Sequence, residues 1–524
     1  MILQFSMKDG EYFWGGSTFV GMKMPVSAQD FFAQDLRRDC QNQGMPLFLS
    51  NQGRYLWSDA PFKITFDHGR VTAEGADDLA LTEAGSCLRD AYLHAMRAHF
   101  PFTGKLPPKE FFETAQYNTW MEFTYYQAQD KVLAYAHAIV DHGFKPGILI
   151  IDEGWHNPYG DWTFDRAKFP DPRAMVDELH ALGFTVMLWV TPFVSPNGLK
   201  FVQSCRADYN PKDEAYKKTC MRNEKGEVAL VDWWNGYSAI LDFENPIDRE
   251  FLDSQLRALM QDYGIDGFKF DGGTIGHYTS GQLLNPPYRG ESGDTHFAMN
   301  KNIAWNEFGA RYKFHEYKDS FRGGGKPVIQ RLADRAHSWT KEDGITSIIP
   351  NSLLQGLLGY PFICPDMIGG GEWIYSIYPD VIPDHELFLR MAQVSSLFPM
   401  MQFSWAPWRV LNDEEMEIIL ESARLHERMM PEIMAILEES ATSGEPVLRH
   451  MEYEFPHCGY ERIADQFMLG SDILVCPVIT KGTREKDVVF PEGKWQDDEG
   501  NVYEKGTHTV KTPLEKLRYF RRIS

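Results

Sequence analysis

The chain has 524 residues and a net charge of −22, from 74 acidic and 52 basic side chains. That balance argues against nucleic acid or an anionic membrane as partner, because both need basic surface. At 43% hydrophobic the chain can bury a large core, and its 14% aromatic content, with 14 Trp, is high.

Aromatic faces stack on the C–H surfaces of sugars, although most Trp are expected in the core. The seven Cys are widely spaced, with no CxxC or Cys/His pairing at zinc spacing, so neither a disulfide framework nor a structural zinc is expected. No metal or other cofactor is predicted. The first residues carry no charged segment followed by an apolar one, and no run of 18 apolar residues occurs. A cytoplasmic protein is the simplest expectation, and a homo-oligomer is left open.

In chain order, residues 1–105 are punctuated by Gly and Asp between short runs such as Glu11–Trp14 and Phe62–Phe66. This pattern predicts an N-terminal β-sandwich, closed by a helix near Leu88–Phe100. Pro101–Pro108 reads as a linker. Strands and helices then alternate over 106–410. Strands are predicted at Thr114–Phe123, Gly147–Asp152, Phe184–Val190, the segment ending at Asp271, Pro327–Leu332, Ile345–Ile349, Phe362–Cys364 and Met400–Phe403. Helices are predicted at Ala128–His142, Pro172–Leu182 and Arg249–Tyr263. Such alternation, with several strands ending in Asp or Trp, predicts a (β/α)8 catalytic barrel. Residues 411–524 read as a helical connection, near Glu414–Glu439, followed by C-terminal β-structure of sandwich type.

The most informative segment is Gly264-Ile265-Asp266-Gly267-Phe268-Lys269-Phe270-Asp271-Gly272-Gly273. A short apolar run reads as a buried strand that two glycines break. Alternate residues share a face, so Lys269 and Asp271 point the same way. A barrel enzyme keeps nucleophiles and bases at such carboxyl ends, and the ammonium would keep the carboxylate ionised. A structural ion pair is the alternative. Asp152, Asp343 and Asp366 also sit at predicted strand ends, and Arg331 and Asp334 lie in Gln330–Arg335. Two carboxyls from different strands could flank one glycosidic bond. Clustered acids could equally hold a metal, but the His spacing gives that little support.

Several segments, in order, carry a resemblance to glycoside hydrolase family 31, the retaining α-glycosidases. They are Asp161-Trp162-Thr163-Phe164-Asp165, Gly267–Asp271, Asp366-Met367-Ile368-Gly369-Gly370, Asp465–Gly470 and Phe490–Trp495. The resemblance implies a (β/α)8 barrel between β-sandwich domains and a retaining exo-acting α-glycosidase of α-galactoside or α-glucoside type. It also implies a small-molecule glycoside or oligosaccharide as substrate. It assigns Asp271 as nucleophile and Asp343 as acid/base. Asp152, Trp189, Arg331 and Asp366 become sugar-holding residues, beside Lys269, and Trp155 and Trp339 become aromatic walls. Gly272-Gly273-Thr274 departs from the family's Met-Asn-Glu after the nucleophile, and Glu342-Asp343 departs from its Trp-x-Gly-Asp. Asp343 is preferred as acid/base because Asp343-Gly344-Ile345 reads as resuming an apolar strand, with Glu342 and then Asp334 as alternatives. The departures resemble a branch that includes bacterial α-galactosidases. A carbohydrate-binding protein on an inactive barrel is the competing expectation.

Overall fold

The computed structural model describes residues 1–38, 40–206, 219–279, 297–372 and 382–524. Its centre is a curled parallel sheet. In chain order the strands are β1 (Gln116–Asn118), β2 (Ile148–Ile151), β3 (Thr185–Val190), β4 (Gly267–Phe270), β5 (Phe314–Tyr317) and β6 (Ile329–Arg331). After these come β7 (Ile363–Cys364, continued as Met367–Ile368) and β8 (Gln402–Phe403). Each strand pairs in parallel with its neighbours. The first half of β7 pairs with β6 and its second half with β8, which pairs in turn with β1. The bend between the halves, where Asp366 has φ 93°, thus closes the ring. All four residues of β2 and of β4 are buried, as parallel strands covered on both faces must be.

The helices show why local sequence suffices for parts of this design. Helix α1 (Pro172–Leu182) opens with Pro, is capped by the Asp171 side chain on Ala174 N, and stops at the left-handed Gly183. Helix α2 (Pro246–Tyr263) repeats the scheme with Asn245 and Gly264. It begins three residues earlier than predicted, because Asn245 supplies the cap.

Two predicted elements differ, and one strand, β5, is not predicted at all. The Thr114–Phe123 strand is only β1; Asn118 Oδ1 accepts the Trp120 N–H at 2.7 Å, ending the ladder and starting a short helix, Trp120–Phe123. Ile345–Ile349 is not a strand but the start of helix α3 (Ile345–Leu357), with Gly344 as its N-cap. All but one of the α3 residues are buried, polar ones included, so no exposed polar stripe separates this helix from a buried strand. Strand β5 has no apolar run at all. Its two middle residues are buried and polar: Glu316 points into the barrel, where Gln402 Nε2 donates to its Oε2 at 3.1 Å, and His315, on the other face, meets the Tyr312 carbonyl at 2.8 Å.

Two antiparallel sheets precede the barrel. One holds Ile2–Ser6, Arg70–Glu74, Lys63–Asp67 and Phe31–Asp35; the other is built around Tyr12–Ser17, Gln43–Ser50 and Arg54–Trp57. Behind the barrel, helix α4 (Asp413–Ser443) leads to a six-stranded antiparallel sheet running from Leu448 to Arg522.

The N-terminal part is stitched to the barrel through Asn42 and Gln43. Gln43–Gly44 pairs in parallel with Ser320–Phe321, just after β5. Asn42, left-handed at φ 64°, accepts the Ala333 N–H at 3.0 Å and donates to Arg331 O at 3.1 Å and to Lys318 O. Its own N–H reaches Asp319 Oδ1 at 2.7 Å. Replacing Asn42 by Ala strands these buried backbone groups, at about 1–3 kcal/mol. We expect Asn42→Ala to unfold at lower temperature in calorimetry and to lose activity through the displaced 331–334 segment.

Candidate active site

At the carboxyl ends of β2 to β6 lies a cavity of about 250 Å³ lined by Trp120, Tyr125, Asp152, Glu153, Trp189, Trp234, Lys269, Asp271, Lys318, Arg331 and Asp334. Catalytic residues of such barrels come from the strand ends at this face. The volume is below the roughly 300–1,000 Å³ of drug-sized sites, which suits one sugar ring better than a chain. A wider groove of about 790 Å³ lies between α2 and the helix Phe297–Gly309, and its lining includes none of these residues.

Asp271 follows the last residue of β4. Its Oδ1 accepts the Gly272 N–H at 2.8 Å and lies 3.4 Å from Lys318 Nζ, and its Oδ2 accepts the Trp189 indole N–H at 3.0 Å. Burial alone would raise this carboxyl. The Lys318 and Lys269 ammoniums and the indole outweigh it and hold Asp271 far below the usual carboxylate range. Gly272 and Gly273 are both left-handed, at φ 67° and 69°, and a Cβ there would run into Phe193 at 2.7 Å and Trp305 at 2.6 Å. The two glycines therefore let the chain turn away directly behind the carboxylate.

Lys269 shares the face of Asp271 but bonds elsewhere. Its Nζ lies 2.7 Å from Asp152 Oδ2, which also accepts Asn118 Nδ2 at 2.7 Å. The cation expected from Lys269 comes at closest range from Lys318, one residue past β5.

Besides Asp271, the cavity wall carries the carboxyls of Asp152, Glu153 and Asp334, and it is Asp334 that shares Lys318 with Asp271. Asp334 Oδ1 accepts Arg331 Nη1 at 2.9 Å, its Oδ2 lies 3.3 Å from Lys318 Nζ, and its side chain is 36% exposed. Because Lys318 touches both acids, the two carboxylates stand within about 7 Å, a span that includes the roughly 5–5.5 Å of a retaining pair. Burial opposes ionisation of Asp334, but Lys318 and Arg331 prevail and hold it at about 2 in the empty site.

Asp343, expected as acid/base, is not among the lining residues. It occupies the turn before α3, where its carbonyl accepts the Ala336 N–H at 3.1 Å. The expectation rested on a strand beginning there, and that segment is a helix. Glu342 is exposed in the same turn.

Asp152, Trp189, Lys269 and Arg331 do line the cavity, but three other expected residues do not. Trp155 is fully buried beneath Trp189, donating to its carbonyl at 2.9 Å. Trp339 turns outward and donates to Asp384 Oδ2 at 3.0 Å. Asp366 is buried behind Arg331, paired with its guanidinium and accepting the Arg335 N–H at 2.7 Å. Trp155 and Asp366 thus support the wall from behind it, and Trp339 stands away from it.

Sequence reasoning missed Lys318, Glu153, Trp120, Tyr125 and Trp234. Glu153 follows Asp152, and strand alternation would send it away, but the strand has ended and alternation no longer applies. Trp234 sits at the tip of a hairpin, Leu230–Trp233 with Gly236–Ile240. The Asn235-Gly236 pair was a readable turn signal for it. Among the described residues, no group of His, Cys, Asp and Glu could hold a metal ion, and no helix is long and apolar enough to cross a membrane.

A barrel with two carboxyls at its carboxyl face defines the class of glycoside-cleaving barrels. Comparison places the chain within it. Residues 105–436 match the glycosyl hydrolases family 31 TIM-barrel domain and residues 444–523 the family's C-terminal domain. The chain belongs to glycosyl hydrolase family 31. It is 32% identical over 448 residues to the myogenesis-regulating glycosidase of Mus musculus, covering 83% of this chain and 60% of that protein. It is 24% identical over 518 residues to alpha-glucosidase 2 of Bacillus thermoamyloliquefaciens, covering 91% and 61%. The chain thus spans about three fifths of these relatives. A Flavobacterium johnsoniae family 31 dextranase, complexed with glucose, superposes with TM-score 0.82 at 18% identity, covering 99% of this chain and 66% of the other.

The shared ammonium gives a signed expectation. Lys318→Met removes the closest cation from Asp271, so its carboxyl titrates higher by roughly 1–3 units. The acidic limb of the kcat/KM profile should move to higher pH, read from initial rates across a pH series.

Proposed function

We propose that the protein is a retaining exo-α-glycosidase with Asp271 as nucleophile and Asp334, in place of Asp343, as acid/base. The observation that carries this reading is the pair of carboxyls, on different strand ends, facing one ring-sized cavity across a single ammonium. In the first step an Asp271 oxygen bonds to the anomeric carbon. The bond to the leaving oxygen breaks, and that oxygen takes the electron pair and the Asp334 proton. In the second step Asp334 takes a proton from water. The water oxygen attacks the same carbon, Asp271 leaves as a carboxylate, and the α-configuration is retained.

The first step needs Asp334 protonated, which its two cations oppose in the empty cavity. A bound glycoside that draws Lys318 toward Asp271 removes one of them. Trp189 and Gly272 then hold the Asp271 carboxylate in a fixed orientation before attack. Asp152, fixed by Lys269 and Asn118, and Arg331 offer the sugar charged hydrogen-bonding partners. The substrate is a terminal α-linked sugar of α-galactoside or α-glucoside type.

Asp271→Asn should abolish turnover of aryl α-glycosides. Asp334→Ala should lower kcat by about 10²–10⁴ on substrates with poor leaving groups and far less on activated ones, with azide restoring turnover. Asp343→Ala should keep near wild-type kcat. Steady-state kinetics decide, and wild-type turnover by Asp271→Asn would overturn the assignment.

A further inference from the structure

Glu153 is the acid in the cavity that the mechanism leaves unused. It is 3% exposed, and its two oxygens are held unequally. Oε1 accepts the Tyr159 hydroxyl at 2.7 Å and Asn235 Nδ2 at 2.5 Å, whereas Oε2 receives only a long contact of 3.3 Å from the Trp234 indole. Asn235 and Trp234 form the tip of the hairpin inserted after β3. Tyr125 donates to Asn235 Oδ1 at 3.1 Å, so the tip is anchored to the barrel on both sides of Glu153. The carboxyl is fixed in place, and its freer oxygen belongs to a residue of the cavity wall.

Its place in the ring determines which part of a sugar it meets. Asp334 follows β6 and Glu153 follows β2, four strands apart in an eight-strand ring, with Asp271 on β4 between them. A ring whose anomeric carbon lies at Asp271 and whose leaving oxygen points to Asp334 turns its far edge toward Glu153. This placement separates Glu153 from the leaving group.

We infer that Glu153 is a specificity-determining residue that hydrogen-bonds a hydroxyl on the edge of the sugar remote from the anomeric carbon, and that the sugar accepted there is uncharged. The inference rests on the proposed assignment of Asp271 and Asp334. Burial pushes the Glu153 carboxyl up to about 8, with the charges of Asp152 and Asp271 adding to the effect and the Tyr159 and Trp234 donors opposing it. At neutral pH it therefore carries a proton that it can donate from Oε2 while still accepting. An anionic substituent at the same edge would meet the like charge of Asp152 beside Glu153.

The test uses binding, so it does not depend on turnover. In the Asp271→Asn background, calorimetric affinities are measured for p-nitrophenyl α-galactoside and α-glucoside, their 3-, 4- and 6-deoxy forms, and the α-sulfoquinovoside. Glu153→Leu should weaken the better parent glycoside by about tenfold or more, the cost of an unmet buried hydrogen bond. It should leave the affinity of one deoxy form nearly unchanged. Glu153→Gln, which keeps the shape and a donor, should recover most of the parent affinity and guards against misfolding of the Leu variant. The sulfoquinovoside should bind more weakly than either parent. Equal loss across all deoxy forms, no loss at all, tightest binding of the anionic sugar, or binding of none of these glycosides overturns the inference. Failure of the mechanistic reading is separate, and shows as turnover by Asp271→Asn itself.

Discussion

One ammonium organises the site. Lys318 reaches Asp271 at 3.4 Å and Asp334 at 3.3 Å, and two carboxylates this close would otherwise push each other toward protonation. Burial lowers the affinity of Lys318 for its proton, but these acids together raise it by more, and the net effect holds it charged. The same contact keeps Asp271 ionised and holds Asp334 within reach of the same cavity. Coulomb attraction across a few ångströms of buried space is strong enough to offset the desolvation of all three groups, provided the geometry is held.

That geometry is held from below and from the side. Beneath the cavity, Arg331 binds Asp334 and Asp366 and lies 3.5 Å from Glu316. The barrel interior is therefore a charged, hydrogen-bonded layer as well as an apolar one. From the side, Asn42 grips the backbone at 318, 331 and 333, so the N-terminal sheets act directly on the segment that carries Asp334. Buried backbone groups of this network at 331 and 333 are satisfied by Asn42, about 290 residues away in the chain.

Much of the frame was legible. Helices α1 and α2 were marked by their Asp or Asn caps, Pro starts and Gly stops, and β2, β3 and β4 by short apolar runs. Asp271 was readable because a strand, an acid and two glycines follow one another without a gap. Asp343 was expected at a strand end for a specific reason: Ile345–Leu357 is buried on nearly all sides, polar residues included, so no exposed polar stripe separated helix from strand. Strand β5 was invisible because its buried middle residues are His315 and Glu316, one on each face, and with it went Lys318.

The sequence by itself determined the alternation of strands and helices, the turn behind Asp271 and the family, because these depend on local dihedral preferences and on motifs a few residues long. Only the tertiary structure decided which acid faces Asp271, that Lys318 and not Lys269 is its nearest cation, that Trp155, Trp339 and Asp366 stand behind or away from the wall, and that Glu153 belongs to it. Those are contacts between strand ends that come together only when the ring closes. Their partners lie tens to hundreds of residues apart, and no local pattern encodes which side chains will share a single cation.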